Sequence, residues 1–102
     1  MPLEMKPTRV RFGKIPPDSP TLYRTVTLKR GDGGPIAPEV EPARQPGLYA
    51  QICEIEPGEH YELEISIAPP FSGGRLKDVL YLKTGVEETP EMRLLVTGTV
   101  VQ

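Results

Sequence analysis

The stretch that decides the fold runs from Glu56 to Thr84, and its first half contains Tyr61–Ile67, which reads YELEISI. Apolar and polar residues alternate there with a period of two, which is typical of a β-strand with one buried face. Pro57-Gly58 makes a turn into this strand, and Pro69-Pro70 ends it because proline has no backbone donor. A second apolar strand is expected from Leu76 to Leu82. Two such strands require a second sheet to cover their apolar faces.

Further runs with this alternation are separated by turns rich in glycine and proline. They span Thr8–Ile15, Leu22–Leu28, Ile36–Val40, Leu48–Ile55 and Met92–Val101. About seven short strands, with turns every 8–12 residues or so, predict an all-β, immunoglobulin-like antiparallel β-sandwich. We expect residues 1–8 to be a linker or lead-in strand and residues 9–102 to be the sandwich domain. The inward positions of the strands predict a core of Phe12, Val26, Leu28, Leu63, Ile65, Leu80, Leu82, Leu94 and Val96.

The composition limits the classes of function that need consideration. The chain has 102 residues and a formal net charge of −2. It contains no apolar run of about 18 residues, the length that a membrane-spanning helix needs. We therefore expect one domain, no membrane insertion and no bulk attraction to nucleic acid. The single cysteine, Cys53, excludes an internal disulfide and leaves the cellular compartment open.

Residues at matching order and spacing give the chain a resemblance to a known family. They are Val10, Phe12, Gly13, Ile15, Val26, Leu28, Ile55, Pro57 and Gly58, then Leu63, Ile65, Ile67, Pro69, Gly73, Gly74, Leu80, Leu82, Thr84, Gly98 and Val100. The chain thereby resembles the immunoglobulin-like domain of unknown function that is found, often in tandem, in exported bacterial proteins. That family is similar in turn to the Hydin-type and major-sperm-protein-type sandwiches.

The resemblance implies a seven-stranded sandwich with a binding or scaffolding role and no catalytic residues. It also implies an exported location, either periplasmic or on the cell surface. One loop departs from the family pattern, because Arg30-Gly31-Asp32-Gly33 stands where such domains usually carry Asn-x-Gly.

Cys53 and His60 are the residues that come nearest to a catalytic or metal site. They lie on either side of the Pro57-Gly58 turn, so a thiol hydrolase or a metal-dependent hydrolase is one alternative function. The residues beside the cysteine are glutamates rather than the positive neighbours that a thiol nucleophile needs, and no zinc-ligand spacing is present. We therefore expect no enzyme activity, no catalytic residues, no cofactor and no metal site.

A carbohydrate-binding sandwich is a second alternative, which the absence of tryptophan disfavours. The residues that could stack on a sugar ring are Tyr23, Tyr49, Tyr61 and Tyr81. Two loops, Arg30–Gly34 and Thr84–Pro90, are open to ligand binding on the sequence alone. The first begins with Arg-Gly-Asp, a tripeptide that some cell-adhesion receptors recognise and that also reads as a flexible glycine turn.

An apolar row on the last two strands is the most informative feature for function. If the core positions expected in these strands are correct, the alternate residues point outward from one sheet. These outward residues are Val79, Tyr81, Leu95 and Val101. A row of apolar side chains on an exposed sheet often marks an interface. Two alternatives remain: single exposed apolar residues are ordinary, and a bulge near Asp78 would shift the register. We expect a non-enzymatic interaction or spacer module whose partner is a protein or a neighbouring domain of the same chain, with no small-molecule substrate.

Overall fold

The computed structural model describes residues 3–71 and 74–101, which form eight β-strands and no helix. In chain order the strands are β1 (Leu3–Lys6), β2 (Arg9–Ile15), β3 (Leu22–Arg30), β4 (Glu39–Val40), β5 (Leu48–Glu56), β6 (His60–Ile67), β7 (Gly74–Lys83) and β8 (Glu91–Val100). Every run that the alternation predicts is represented by a strand, and β1 lies in the segment before Arg9. Gly73, which belongs to the family resemblance, lies outside the described residues.

The strands form two four-stranded sheets that pack as the layers of a sandwich. The first sheet has the order β1-β3-β6-β5, and the second has the order β2-β8-β7-β4. The all-β, immunoglobulin-like sandwich predicted from the sequence is therefore confirmed. One pair departs from an antiparallel arrangement, because β2 runs parallel to β8. Alternation along a strand indicates which side chains are buried, but it carries no information on the direction of a distant partner strand.

The N-terminal segment crosses from one sheet to the other. β1 pairs with β3 in the first sheet, whereas β2 lies at the edge of the second sheet. Within β2, Gly13 has a φ of 70°, and the register with β8 shifts between Arg11 and Lys14. Glycine adopts this backbone conformation without strain, and the extra residue makes a bulge. Because of the bulge, Ile15 points into the core together with Phe12, although the two residues are an odd number of positions apart.

The core between the sheets contains all nine residues predicted for it, from Phe12 to Val96. Six of them have no exposed surface: Val26, Leu28, Leu63, Ile65, Leu94 and Val96. Burying one such side chain is worth about 1.5–3 kcal/mol, so this layer supplies most of the stability of the fold. The core also takes in apolar side chains of β1 and of the Ile36 and Val86 loops.

β7 and β8 form a long hairpin, which carries the outward apolar row. Their register is continuous along the whole pair, so no bulge near Asp78 displaces it. Thr84 closes the hairpin loop with a fully buried side chain. Its hydroxyl accepts the backbone N–H of Val86 at 3.1 Å and donates to the carbonyl of Thr89. These hydrogen bonds hold the loop closed at the end of the hairpin.

The buried carboxylate of Asp78 connects this hairpin to the segment that enters β5. Its Oδ2 atom accepts the backbone N–H of Arg44 at 3.0 Å and that of Gln45 at 3.1 Å. Its Oδ1 atom accepts the N–H of Val79 at 2.8 Å. The acid thus holds the chain as it crosses from the second sheet to the first, which explains a buried charge at an inward position of β7.

Candidate interaction face

Three of the four residues predicted for a partner-binding face lie together on the outside of the second sheet. Val79 is directly opposite Leu95 in the β7–β8 register, and Tyr81 is opposite Arg93. All three predicted side chains are half-buried and point away from the core. Val101 lies beyond the end of β8, about 20 Å from Leu95 at the usual rise per residue. Its N–H donates to the Ile15 carbonyl at 2.9 Å, so it closes the sheet rather than extending the row.

Positively charged side chains surround the pair Val79 and Leu95. The outward positions of β2, β7 and β8 carry the exposed residues Arg9, Arg11, Lys14, Arg75, Lys77, Lys83 and Arg93. We call this surface, with its apolar centre, the basic face. Two carboxylates, Glu39 and Glu91, flank Lys83 in register at one end of it. Within the described residues, none of these cations forms an ion pair, since the salt bridge found there joins Arg30 and Glu59.

Tyr81 organises the arginines at one end of the basic face. The guanidinium carbons of Arg44 and Arg93 each lie 5.7 Å from the centroid of its ring. A cation within about 6 Å of an aromatic ring is attracted to the ring face. The ring is therefore covered by two cations, and the apolar surface left open to a partner is centred on Val79 and Leu95.

A shallow concavity lies across β2, β8 and β7 beside this apolar pair. Its volume is about 450 Å³, and Arg11, Arg75, Lys77, Leu95, Thr97 and Thr99 are among the residues that line it. Three cations therefore border a depression whose floor is made of a leucine and threonines. An acidic side chain or segment that enters it would meet positive charge on two sides.

The opposite side of the sandwich has the other sign of charge. Glu4, Glu56, Glu62 and Glu64 point outward from the first sheet, together with Lys6 and Lys29. The formal net charge of −2 thus conceals one basic face and one acidic face. Charge asymmetry of this kind favours recognition of a surface of complementary charge.

The structure does not assemble Cys53 and His60 into a nucleophile–base pair. Cys53 is half-buried on the outward side of β5 and lies opposite Glu62, whereas His60 lies opposite Glu56. The two residues are thus diagonal in the register, and no hydrogen bond joins them. Gln51 places its amide nitrogen 4.0 Å from the cysteine sulfur, and the His60 Nε2 atom has no partner among the described residues.

The Arg-Gly-Asp tripeptide lies where β3 ends, and its arginine is already engaged. The Arg30 Nη1 atom donates to the Glu59 carboxylate at 3.0 Å, and its Nε atom donates to the Gly33 carbonyl at 2.9 Å. The Arg30 N–H also donates to the Glu59 carbonyl at 2.8 Å. The guanidinium therefore ties the loop to the neighbouring turn, and these contacts within the domain account for the conformation of the loop.

The four tyrosines occupy three kinds of environment. Tyr61 is buried, and its hydroxyl accepts the N–H of Gly58 at 2.9 Å. Tyr81 is covered by arginines, as described above. Tyr23 and Tyr49 remain exposed, and both are in register with Ser66 on the first sheet. The carbohydrate hypothesis therefore retains two exposed aromatic rings on the outer side of the first sheet.

Nothing among residues 3–71 and 74–101 groups three or more His, Cys, Asp or Glu side chains as metal ligands. The same residues contain no helix that could cross a membrane.

Comparisons with known proteins identify the fold. Neither a family model nor a curated protein matches the chain. Among solved structures, a protein of unknown function from Porphyromonas gingivalis W83 is similar with a TM-score of 0.77 and 20% identity. The similarity covers 95% of this chain and 46% of that protein, so the chain spans about half of the neighbour's length.

Two further structures extend this similarity to named sandwich families. PapD-like domain 7 of human CEP192, also described as an ASH domain, has a TM-score of 0.74 and 10% identity, over 99% of this chain and 86% of that one. WR4, a C. elegans MSP family member, has a TM-score of 0.56 and 11% identity, over 98% of both chains. The suspected likeness to immunoglobulin-like and MSP-type sandwiches is confirmed at the level of the fold.

Proposed function

We propose that this domain is a non-enzymatic interaction or spacer module, and that the basic face docks an acidic surface of a neighbouring domain or partner protein. The observation that carries the proposal is the apolar pair Val79 and Leu95, which lies in register at the centre of exposed cations without ion-pair partners in the described chain. Isolated exposed apolar residues are ordinary, but an apolar pair with a charged rim matches the anatomy of an interface.

The two parts of the face have separate roles in docking. Burial of the apolar centre supplies affinity, because affinity depends chiefly on a few well-packed central contacts. The surrounding arginines and lysines steer a partner of opposite charge and set its orientation. The outer surface of the first sheet, with Glu62 and Glu64, is an example of such a partner surface. A second copy of this domain in tandem therefore supplies a partner of suitable chemistry.

The fold supports the presentation of a binding surface rather than catalysis. The hairpin that carries the face is closed by a buried threonine and tied to the next segment by Asp78. A rigid sheet binds without a large ordering cost, which favours a docking role. The diagonal arrangement of Cys53 and His60, with no hydrogen bond between them, supports a non-enzymatic function.

The test uses two copies of this chain joined in tandem and a pair of matched glutamate substitutions. Leu95→Glu places a negative charge at the centre of the basic face, and Gly34→Glu places one in the exposed loop between β3 and β4, outside both sheets. We expect Leu95→Glu to remove the additional hydrogen-exchange protection that docking gives to the backbone amides of β7 and β8. Docking should also weaken as salt is raised from low to physiological concentration, because exposed charges contribute to it.

Two results would contradict the proposal. One is equal loss of protection in the Leu95→Glu and Gly34→Glu variants, which would place the contact elsewhere. The other is unfolding of Leu95→Glu, seen as loss of the cooperative thermal transition, which would show that this leucine belongs to the core. A surface substitution normally changes stability by less than about 0.5 kcal/mol, so the two cases are readily separated.

A further inference from the structure

The four edge strands of the sandwich differ in how they are protected against pairing with another strand. An edge exposes unpaired backbone donors and acceptors, and proteins shield it with short strands, prolines, bulges or charges. β1 has four residues, and β4 has two residues between Pro38 and Pro42. β2 is broken by the bulge at Gly13 and carries outward cations on both sides of it. Three of the edges are therefore closed to a further strand.

β5 is the longest of the four edge strands, and its acids and its register shift are confined to its last three residues, Glu54–Glu56. It has nine residues, with no proline, lysine or arginine among them. Backbone hydrogen bonds outside the ladder to β6 occur only at its two ends, among the described residues. They are the Leu48 N–H to the Gln45 carbonyl at 3.2 Å, and the Glu59 N–H to the Glu56 carbonyl at 3.0 Å. The register shift with β6 is confined to the step between Glu54 and Glu56.

The exposed apolar side chains of β5 are placed symmetrically about its centre. Tyr49 is 61% exposed and Ile55 is 53% exposed, and each lies three positions from Ile52. If two β5 strands pair antiparallel with Ile52 opposite Ile52, Tyr49 of each copy lies opposite Ile55 of the other. An aromatic residue opposite a β-branched one is a favourable cross-strand pair.

The same register places no like charges opposite each other. Glu54 lies opposite Ala50 of the second copy, and Glu56 lies opposite its Leu48. Gln51 lies opposite its Cys53. One arrangement thus covers both exposed apolar residues, completes the free backbone ladder and avoids repulsion between directly opposed acids.

We propose that two copies of this chain associate through the free edges of β5, antiparallel and with Ile52 on the two-fold axis. The two β1-β3-β6-β5 sheets then become one continuous sheet. This association uses the edge of the first sheet and is independent of the basic face, so either proposal can fail without the other.

A register-specific disulfide tests the arrangement. In the Gln51→Cys variant, the introduced thiol of each copy lies opposite the native Cys53 of the other. Directly opposed residues of an antiparallel pair have Cα atoms about 4.5–5.5 Å apart, which is within the span of a disulfide. We expect mild oxidation of the full chain to give a covalent dimer with two disulfides, seen by mass spectrometry and by a non-reducing gel. The matched controls are the native chain and Gln51→Cys combined with Cys53→Ser, and neither should cross-link efficiently.

Sedimentation equilibrium of the reduced chain provides the second measurement. We expect a monomer–dimer equilibrium that Ile55→Lys weakens by about tenfold, because two symmetry-related pairs are lost. Thr25→Lys, on the outward side of a strand away from this edge, should leave the equilibrium unchanged. A monomer at all accessible concentrations would overturn the proposal and leave the edge to an extended segment of another protein. A dimer in which the Gln51→Cys variant fails to cross-link would overturn it as well, because the register would then be different, and so would cross-linking that is equal in the controls.

Discussion

Replacement of Ile65 by alanine tests whether the centre of β6 carries the stability of the domain. Ile65 has no exposed surface and lies in a strand that is paired on both sides, opposite Arg24 and Ala50. The substitution removes three carbon atoms, which corresponds to roughly 2.4 kcal/mol of lost transfer free energy at about 0.8 kcal/mol per carbon. The small neighbour Ala50 cannot fill the space, so a cavity penalty raises the expected cost to about 3–5 kcal/mol.

The matched control is Ile55→Ala, which makes the same chemical change at an exposed position of the adjacent strand. Urea unfolding at low protein concentration should give a cost near 0.5 kcal/mol or less for the control. For a domain of this length, each kcal/mol corresponds to about 4–8 °C in melting temperature. Ile65→Ala should therefore lower the transition by more than about 10 °C. If both variants melt like the parent chain, the inward register of β6 is wrong.

Three further predictions address packing, the buried acid and metals. A Cβ on Gly98 would lie 3.1 Å from an Ile15 methyl group, so Gly98→Ala should lower the free energy of unfolding by about 1–3 kcal/mol, measured with urea. The control Gly34→Ala, whose Cβ would meet nothing within 4 Å, should be nearly neutral. Asp78→Ala should cost about 2 kcal/mol in the same assay because it leaves three partly buried N–H groups without an acceptor, and Asp78→Asn should cost less. Micromolar zinc or calcium should leave the melting temperature unchanged, since the described residues offer no ligand cluster; a rise of several degrees would contradict this.

The sequence was sufficient for the fold class and the core because both depend on local alternation. Leu63 and Ile65 alternate with glutamates, and any sheet that buries one side of this strand must bury these two residues. Prolines and glycines fixed the ends of the strands for a similarly local reason. The edge position of β4 has a local cause as well, since Pro38 and Pro42, which flank the strand, cannot donate to a neighbouring strand.

The sequence alone predicts only part of the basic face. Arg75 and Lys77 share the outward alternation of Val79, so their presence on the same surface could have been read from the hairpin alone. The presence of Arg9 and Arg11 on this surface could not be predicted in this way. They reach it through the parallel pairing of β2 with β8, two strands that lie near opposite ends of the chain. Long-range pairing depends on the closure of the whole sandwich and leaves no period in the sequence.

The surroundings of Val101 and Tyr81 also depend on contacts with residues that are distant in the sequence. Alternation within the last two strands predicts that Val79 and Leu95 point outward. It also groups them with Val101, whose N–H donates to the carbonyl of the distant Ile15. The covering of Tyr81 by Arg44 likewise depends on Asp78, which holds the loop that carries this arginine. The buried acid and the surface patch are therefore coupled. Loss of the Asp78 carboxylate should therefore release Arg44 from the ring of Tyr81 at one end of the basic face. The pair Val79 and Leu95 should stay in register, because the β7–β8 ladder does not depend on that loop.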